Sequence, residues 1–197
     1  MRSSHFVVKQ EPLLSLPLYR YGEYDKYTRR LHEITLFPHS NVMLGNGVVR
    51  AVLNFSFRGV DFSKKRVLPF FFALELLTNQ KCIVTQSSRN VLAWKLRKGM
   101  MVGCKVSLRG NALHDFFDSL QLTLPRMEKL QVARLSKTTV SNSVTMRLAE
   151  LVLFYPVEFG LGMHSDVQRL DVNFLFRTCS SEEKLFLLTS NKIPVKV

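Results

Sequence analysis

Two segments of the chain alternate so strictly that each must be a strand with one covered face and one open face. In residues 48–58, Val49, Ala51, Leu53, Phe55 and Phe57 fall on one side; Arg50, Val52, Asn54, Ser56 and Arg58 fall on the other. In residues 102–109, Val102, Cys104, Val106 and Leu108 oppose Gly103, Lys105, Ser107 and Arg109. Successive side chains of a strand point to opposite faces, so a period of two buries one face and leaves the other to water or a partner. Any fold for this chain must therefore contain a sheet covered on one side.

The remaining elements fit around that sheet. Residues 23–37 predict a helix with Tyr24, Tyr27, Leu31 and Ile34 as its apolar stripe and Lys26, Arg29 and Arg30 off it. Residues 61–79 predict a second helix, with Pro69 near an end or at a kink. Strands are expected at 81–86, 145–155 and 171–178. Asn111 is placed to cap a helix whose buried stripe is Leu113, Phe116, Phe117 and Leu120. A last helix starts at Ser180, which stands three residues before Glu183 as in a capping box. The order α-β-α-β-β-α-β-β-α does not suit regular βαβ winding. It predicts an α+β fold, an open-faced, largely antiparallel sheet with helices packed on one face. Residues 1–22, with Pro12 and Pro17, read as an extended N-terminal arm, and residues 23–197 as a single α+β domain.

Charge says what the open face is for. The chain carries 28 Lys and Arg against 15 Asp and Glu, a net charge of +13, and a polyanionic partner would relieve that self-repulsion. The excess is local. Residues 76–114 hold Lys81, Arg89, Lys95, Arg97, Lys98, Lys105 and Arg109 and no acid, whereas from Glu150 onward acids and bases nearly balance. If the two alternating strands pair, Arg50, Asn54, Arg58, Lys105, Ser107 and Arg109 share one surface of guanidinium, amide, ammonium and hydroxyl groups, the donors that contact phosphate and ribose. A merely solvated face is the competing reading, but such faces usually interleave both signs. Between the strands, residues 87–99 (SSRNVLAWKLRKG) mix basic groups with apolar ones, including the only tryptophan. Arg89 and Lys95 suit phosphate while Trp94 stacks or wedges; the alternative is that Trp94 packs onto its own domain.

Other chemistries find little support. Cys82, Cys104 and Cys179 are widely spaced with no Cys-x-x-Cys, and read as reduced core thiols. The five histidines form no ligand set, so neither a metal site nor a cofactor is expected. There is no nucleophile elbow, Walker loop or dinucleotide fingerprint, and His114 and Asp115, being adjacent, point apart on a helix, so no catalytic residue is expected. No run approaches the ~20 apolar residues of a membrane span. The first residues have the Arg and Ser flavour of an organellar presequence, but Glu11 interrupts it and no cleaved leader is evident. A peripheral membrane protein using Phe with Lys and Arg is a further alternative.

Read as one block, residues 71–120 resemble ribosomal protein five of the large subunit. The residues that carry the likeness are Asn79-Gln80-Lys81-Cys82, Thr85, Lys95-Leu96-Arg97-Lys98-Gly99 and Gly103-Cys104-Lys105-Val106-Ser107-Leu108-Arg109-Gly110. Weaker likeness extends from Leu31 to Val197, through Leu124-Pro125-Arg126, Leu153-Phe154-Tyr155-Pro156-Val157-Glu158-Phe159 and Leu170-Asp171-Val172. The resemblance implies a protein of the central protuberance that binds 5S ribosomal RNA or equivalent large-subunit rRNA and touches the small-subunit head. It implies rRNA contacts by Asn54, Gln80, Lys81, Thr85, Lys105, Ser107 and Arg109, to which the charge pattern adds Arg50, Lys95 and Arg97. It also implies a mobile loop directed at P-site tRNA, here Ser87, Ser88, Arg89, Asn90 and Trp94. Ser107 stands where the family has Thr, Cys82 where it has Pro, and the loop is less basic and lacks the family's glycine. A Gly-rich stretch expected between Leu130 and Val144 is missing. This drift, with the added arm, points to an organellar member: a mitochondrial ribosome, the alternatives being a plastid or the bacterial cytoplasm. A free organellar RNA-binding or processing factor on the same fold is the competing function.

Overall fold

The computed structural model describes residues 20–39, 41, 45–56, 64–127, 133–134, 142–149, 151–161, 169–177 and 180–196. Its elements are α1 (Arg20–Tyr24), a π-helical turn (Asp25–Arg29), α2 (Arg30–Leu36), β1 (Val48–Ser56), α3 (Lys64–Thr78), β2 (Ile83–Gln86), β3 (Met101–Leu108) and α4 (Asn111–Thr123). Then come β4 (Ala133–Arg134), β5 (Ser143–Leu148), α5 (Tyr155–Leu161), β6 (Leu170–Phe176), α6 (Ser181–Ser190) and β7 (Val195–Lys196). The strands form one sheet in the order β2-β3-β1-β6-β5-β4-β7. From β2 to β4 every neighbouring pair is antiparallel; β7 joins β4 in parallel at the edge. The expected α+β sheet is present, extended by the two-residue strands β4 and β7, which are too short to leave a periodic signal.

Alternation decides which face is covered. Ala51, Leu53 and Phe55 of β1, Cys104, Val106 and Leu108 of β3, Val144, Met146 and Leu148 of β5, and Leu170, Val172, Phe174 and Phe176 of β6 are all buried. The helices lie against that face. Phe117 of α4 stacks on Phe174 with ring centroids 5.4 Å apart, Phe116 stacks on Phe154 at 6.4 Å, and Phe55 meets Phe70 of α3 edge-on at 5.3 Å. Each fully buried Phe or Leu contributes roughly 1.5–3 kcal/mol relative to exposure, so this layer supplies most of the driving force.

Strand β3 approaches β1 so closely that Gly103 has no alternative. A Cβ there would fall well inside van der Waals contact with the Phe55 carbonyl oxygen, and 3.1 Å from Thr85 Oγ1. Gly103 therefore serves the sheet rather than the polar surface expected of it.

The N-terminal helices correct two readings. Tyr24, Tyr27, Leu31 and Ile34 are all exposed, Tyr27 at 69%. The covered side carries Tyr21, Arg29 and Glu33 instead. Four residues advance an α-helix by a full turn plus about 40°, so Tyr21, Asp25, Arg29 and Glu33 would drift round the axis. The more slowly wound π turn over Asp25–Arg29 removes part of that drift and keeps them in line. Arg29 then bonds Asp25 through Nε, Glu33 through Nη1 at 3.0 Å and the Asn46 carbonyl at 3.2 Å, and Glu33 accepts the Asn46 N–H. The network ties this helix to the loop entering β1. The arm boundary also shifts: Arg20–Gly22 are helical, and Tyr21 is buried against Phe117 at 4.9 Å while its hydroxyl donates to Asn191 Oδ1 at 2.6 Å. Residues 1–19 lie outside the described residues.

Two further expectations change. Residues 149 and 151–155 are not strand: beyond Leu148 the chain leaves the sheet, and Leu151, Phe154 and Val157, three apart, are buried on the way into α5. Asn111 is the first residue of α4 and does not cap it; Gly110, at φ 58°, holds the cap position. Pro69 sits inside α3. The Ser180–Glu183 capping box forms as read, with Glu183 Oε2 accepting the Ser180 N–H at 2.8 Å and Ser180 Oγ accepting the Glu183 N–H at 3.3 Å. Cys104 is buried and Cys82 half-buried, both free of disulfide bonds; Arg58 and Cys179 lie outside the described residues.

Three stability outcomes are expected. Gly103→Ala is expected to lower the unfolding free energy by about 1–3 kcal/mol through forced separation of β1 and β3. Ser107→Ala, on the open side of the same strand, should stay within about 0.5 kcal/mol. Arg29→Met strands two carboxylates beside a buried position and should cost about 3 kcal/mol. Urea titration followed by far-UV circular dichroism measures all three.

Candidate nucleic-acid interface

The second face of the sheet carries no helix side chains among the residues just named, and the strand register arranges its polar groups in rows. Lys105 pairs with Ile83 on one side and Asn54 on the other; Asn54 pairs in turn with Asp171, and Asp171 with Arg147. Directly paired residues share a face, so Ile83, Lys105, Asn54, Asp171 and Arg147 form one row across five strands. With strands about 4.8 Å apart, the row spans roughly 19 Å. The next row is Ser107, Val52, Asn173 and Thr145. Arg50 pairs with Leu175, and Leu175 with Ser143.

The cations stand out from this floor. Lys105, Ser107 and Arg109 are exposed, and Asn54 and Arg50 half-buried. Leu108 pairs with Ala51, so Arg109, the next residue, and Arg50 stand at the same end of the β1–β3 pair. The Arg50 Nε is shut from solvent and has no hydrogen-bond partner, the kind of orphaned donor that a ligand acceptor would satisfy. Asp171 is the only acid in any of the seven strands, and it is engaged by Arg147, whose Nε donates to Oδ1 at 2.8 Å. Apart from this one paired acid the face is positive and rich in donors, which a merely solvated face would not need to be.

Gln80, Lys81 and Thr85 lie on the β2 side of this surface. Glu75 Oε1 accepts the Cys82 N–H at 3.3 Å and lies 3.6 Å from its thiol, which anchors the start of β2 and leaves Gln80 and Lys81 exposed. Burial and the Glu75 carboxylate push the Cys82 thiol up to about 11, so it stays protonated and inert at neutral pH. Thr85 is half-buried beside Gly103.

Lys95 and Arg97 are not on the sheet face. They belong, with Ser87, Ser88, Arg89, Asn90 and Trp94, to the long hairpin between β2 and β3. Ser87 N–H donates to Met100 O at 2.9 Å, Gly99 N–H to Ser87 O at 2.9 Å, and Val91 and Leu96 exchange two bonds of 3.0 Å. A 3-10 turn at Leu92–Trp94 and Lys95 in the left-handed region, φ 53°, close the tip. Ser87 Oγ donates to the Arg89 carbonyl at 2.7 Å, and Asn90 Oδ1 accepts the Lys98 N–H at 2.7 Å. Those two side chains shape the hairpin. What projects is Arg89, Lys95, Arg97 and Lys98, with Leu92 at 93% and Trp94 at 67% exposure. Packing of Trp94 back onto its own domain is therefore ruled out, and the tip presents an apolar ring inside a basic rim.

Arg147, Asp171, Asn173 and Thr145 were missed as site residues. The alternation of Ser143, Thr145 and Arg147 with Val144, Met146 and Leu148 is visible in the sequence; the strand pairing that brings them beside Asn54 is not. Among the described residues, no group of three or more His, Cys, Asp or Glu could hold a metal ion, and no helix is long and apolar enough to cross a membrane.

No family model matches the chain. It is 25% identical over 167 residues to large ribosomal subunit protein uL5m of Reclinomonas americana, covering 84% of this chain and 92% of that one. It is 29% identical over 167 residues to uL5 of Ruminiclostridium cellulolyticum, covering 83% and 92%. To uL5 of Heliobacterium modesticaldum it is 28% identical over 161 residues, covering 81% and 88%. These near full-length likenesses to bacterial and mitochondrial proteins named uL5 support a uL5 family ribosomal protein of the large subunit.

Proposed function

We propose that this chain holds 5S rRNA, or the equivalent large-subunit rRNA of the central protuberance, against the open face of its sheet. As a uL5 protein it is a structural constituent of the large ribosomal subunit and not an enzyme, with large-subunit rRNA and ribosomal proteins as partners. The observation that carries the finer reading is the one-signed face: Lys105, Ser107 and Arg109 on β3 and its end, Asn54 and Arg50 on β1, and Gln80, Lys81 and Thr85 before and along β2. Lys and Arg supply contacts to phosphate, and Asn, Gln, Ser and Thr suit ribose hydroxyls and base edges in a folded RNA.

The basic hairpin with Trp94 and Leu92 at its tip is the second contact. In this reading it is directed at P-site tRNA, with Trp94 stacking on an exposed base and Arg89 and Lys95 holding phosphate. A contact to the small-subunit head completes the family role. The mitochondrial ribosome is the proposed location, supported by the uL5m relative and by the divergence of the hairpin from the family pattern.

Two experiments test this. Lys105→Glu with Arg109→Glu, measured with deproteinised bacterial large-subunit rRNA containing its 5S species, should weaken binding. The slope of log affinity against log salt should fall by about 1.4–1.8 as two phosphate contacts are lost, with unchanged circular dichroism. Unchanged binding sinks the face assignment. Trp94→Ala should reduce crosslinking to P-site tRNA in assembled ribosomes while rRNA retention after a high-salt wash stays intact; equal crosslinking removes the hairpin's tRNA role.

A further inference from the structure

The open face has a feature that the rRNA-contact residues above do not use. Its single acid, Asp171, lies between Asn54 and Arg147 in the row across the sheet. A carboxylate on a surface that receives phosphate is unfavourable unless it is occupied. Here Oδ1 accepts the Arg147 Nε at 2.8 Å. Both side chains are well exposed, Arg147 at 62% and Asp171 at 42%. An exposed pair of this kind adds little to fold stability, so stability does not account for it.

The geometry of the bond does. A guanidinium carries five N–H donors in a rigid plane. Asp171 takes the Nε edge and thereby fixes the plane. The terminal Nη1 and Nη2 have no partner among the described residues. That remaining edge is the one that meets two oxygens of a phosphate side by side. On Arg147, which is on the same face as Lys105 two strands beyond Asn54, it would extend the contact surface over β6 to β5.

We propose that Arg147 is a further RNA-binding residue that takes a phosphate through both terminal nitrogens, and that Asp171 is its positioning residue. This rests on the reading that the open face binds rRNA. A plain point charge at position 147 would serve that face equally well as Lys, and a plain negative charge at 171 would only oppose binding. A preorganised fork requires Arg at the first and an acceptor carboxylate at the second.

The two accounts give opposite results. The full chain is titrated with deproteinised bacterial large-subunit rRNA containing its 5S species, at several salt concentrations, for Arg147→Lys, Arg147→Ala, Asp171→Asn and Asp171→Asn with Arg147→Ala. With a two-pronged contact, Arg147→Lys weakens binding roughly tenfold although charge is kept. Asp171→Asn also weakens it although a negative charge is removed, and has no effect once Arg147 is Ala. The inference is overturned if Arg147→Lys binds like the parent chain, or if Asp171→Asn binds unchanged or more tightly. Lys105→Glu with Arg109→Glu runs alongside. If that pair weakens binding and the Arg147 and Asp171 variants do not, only this inference fails; if that pair has no effect, the reading of the whole face fails. Urea midpoints matching the parent show that each variant is folded.

Discussion

Strand β1 pairs on both sides, with β3 through Ala51↔Leu108 to Ser56↔Gly103 and with β6 through Ala51↔Phe174 to Asn54↔Asp171. Its register with each neighbour assigns every side chain of the three central strands either to the helices or to the open face. A slip of one residue would turn Leu53 and Phe55 outward and bring Asn54 onto the helix-covered face, exchanging apolar side chains for an unpaired amide. The contact between Gly103 and the Phe55 carbonyl guards that register, because the β1 backbone comes so close there that no side chain fits. The helix layer, the exposed rows and the hairpin between β2 and β3 all depend on it.

One-sided burial gives the chain a difficulty that its partner resolves. The covered face is filled by aromatic stacking and aliphatic contact, and the opposite face is left with cations that outnumber its acids. Alone, Lys105, Arg109 and Arg50 raise the energy of the compact state, since the charge excess repels itself. Against a phosphate backbone the same groups become favourable, and the counterions they displace add to the affinity. The buried Arg29 and Glu33, with the half-buried Asp25, show the contrasting solution: charge inside the protein is paired and bonded, whereas among the described strands Asp171 alone answers the cations of the open face.

The legible part of the fold was the part governed by local period. Ala51, Leu53 and Phe55 in β1, Cys104, Val106 and Leu108 in β3, the α4 stripe of Leu113, Phe116, Phe117 and Leu120, and the Ser180–Glu183 cap all sit where period or short-range bonding put them. Errors arose where a distant contact outweighed period. Tyr27, Leu31 and Ile34 have helical spacing, yet the salt-bridged Arg29 and Glu33 occupy the covered side because Asn46 and Asp25 complete their bonds. The run after Leu148 is as apolar as a strand, but it turns helical so that Phe154 can stack on Phe116.

For the candidate site, period two placed Lys105, Ser107, Arg109, Arg50 and Asn54 on one surface from sequence alone, since the face of a side chain follows from its parity along a strand. Composition determined the one-signed charge, and the motif block determined the family. Three things were left to the tertiary structure. It joined β5 and β6 to β1 and so brought Arg147, Asp171 and Asn173 into the rows; it closed residues 87–99 into a hairpin that carries Lys95 and Arg97; it held Trp94 out rather than in. Each depends on which strands become neighbours and how a turn closes, and such long-range pairings leave no mark in local sequence because their partners lie far apart along the chain.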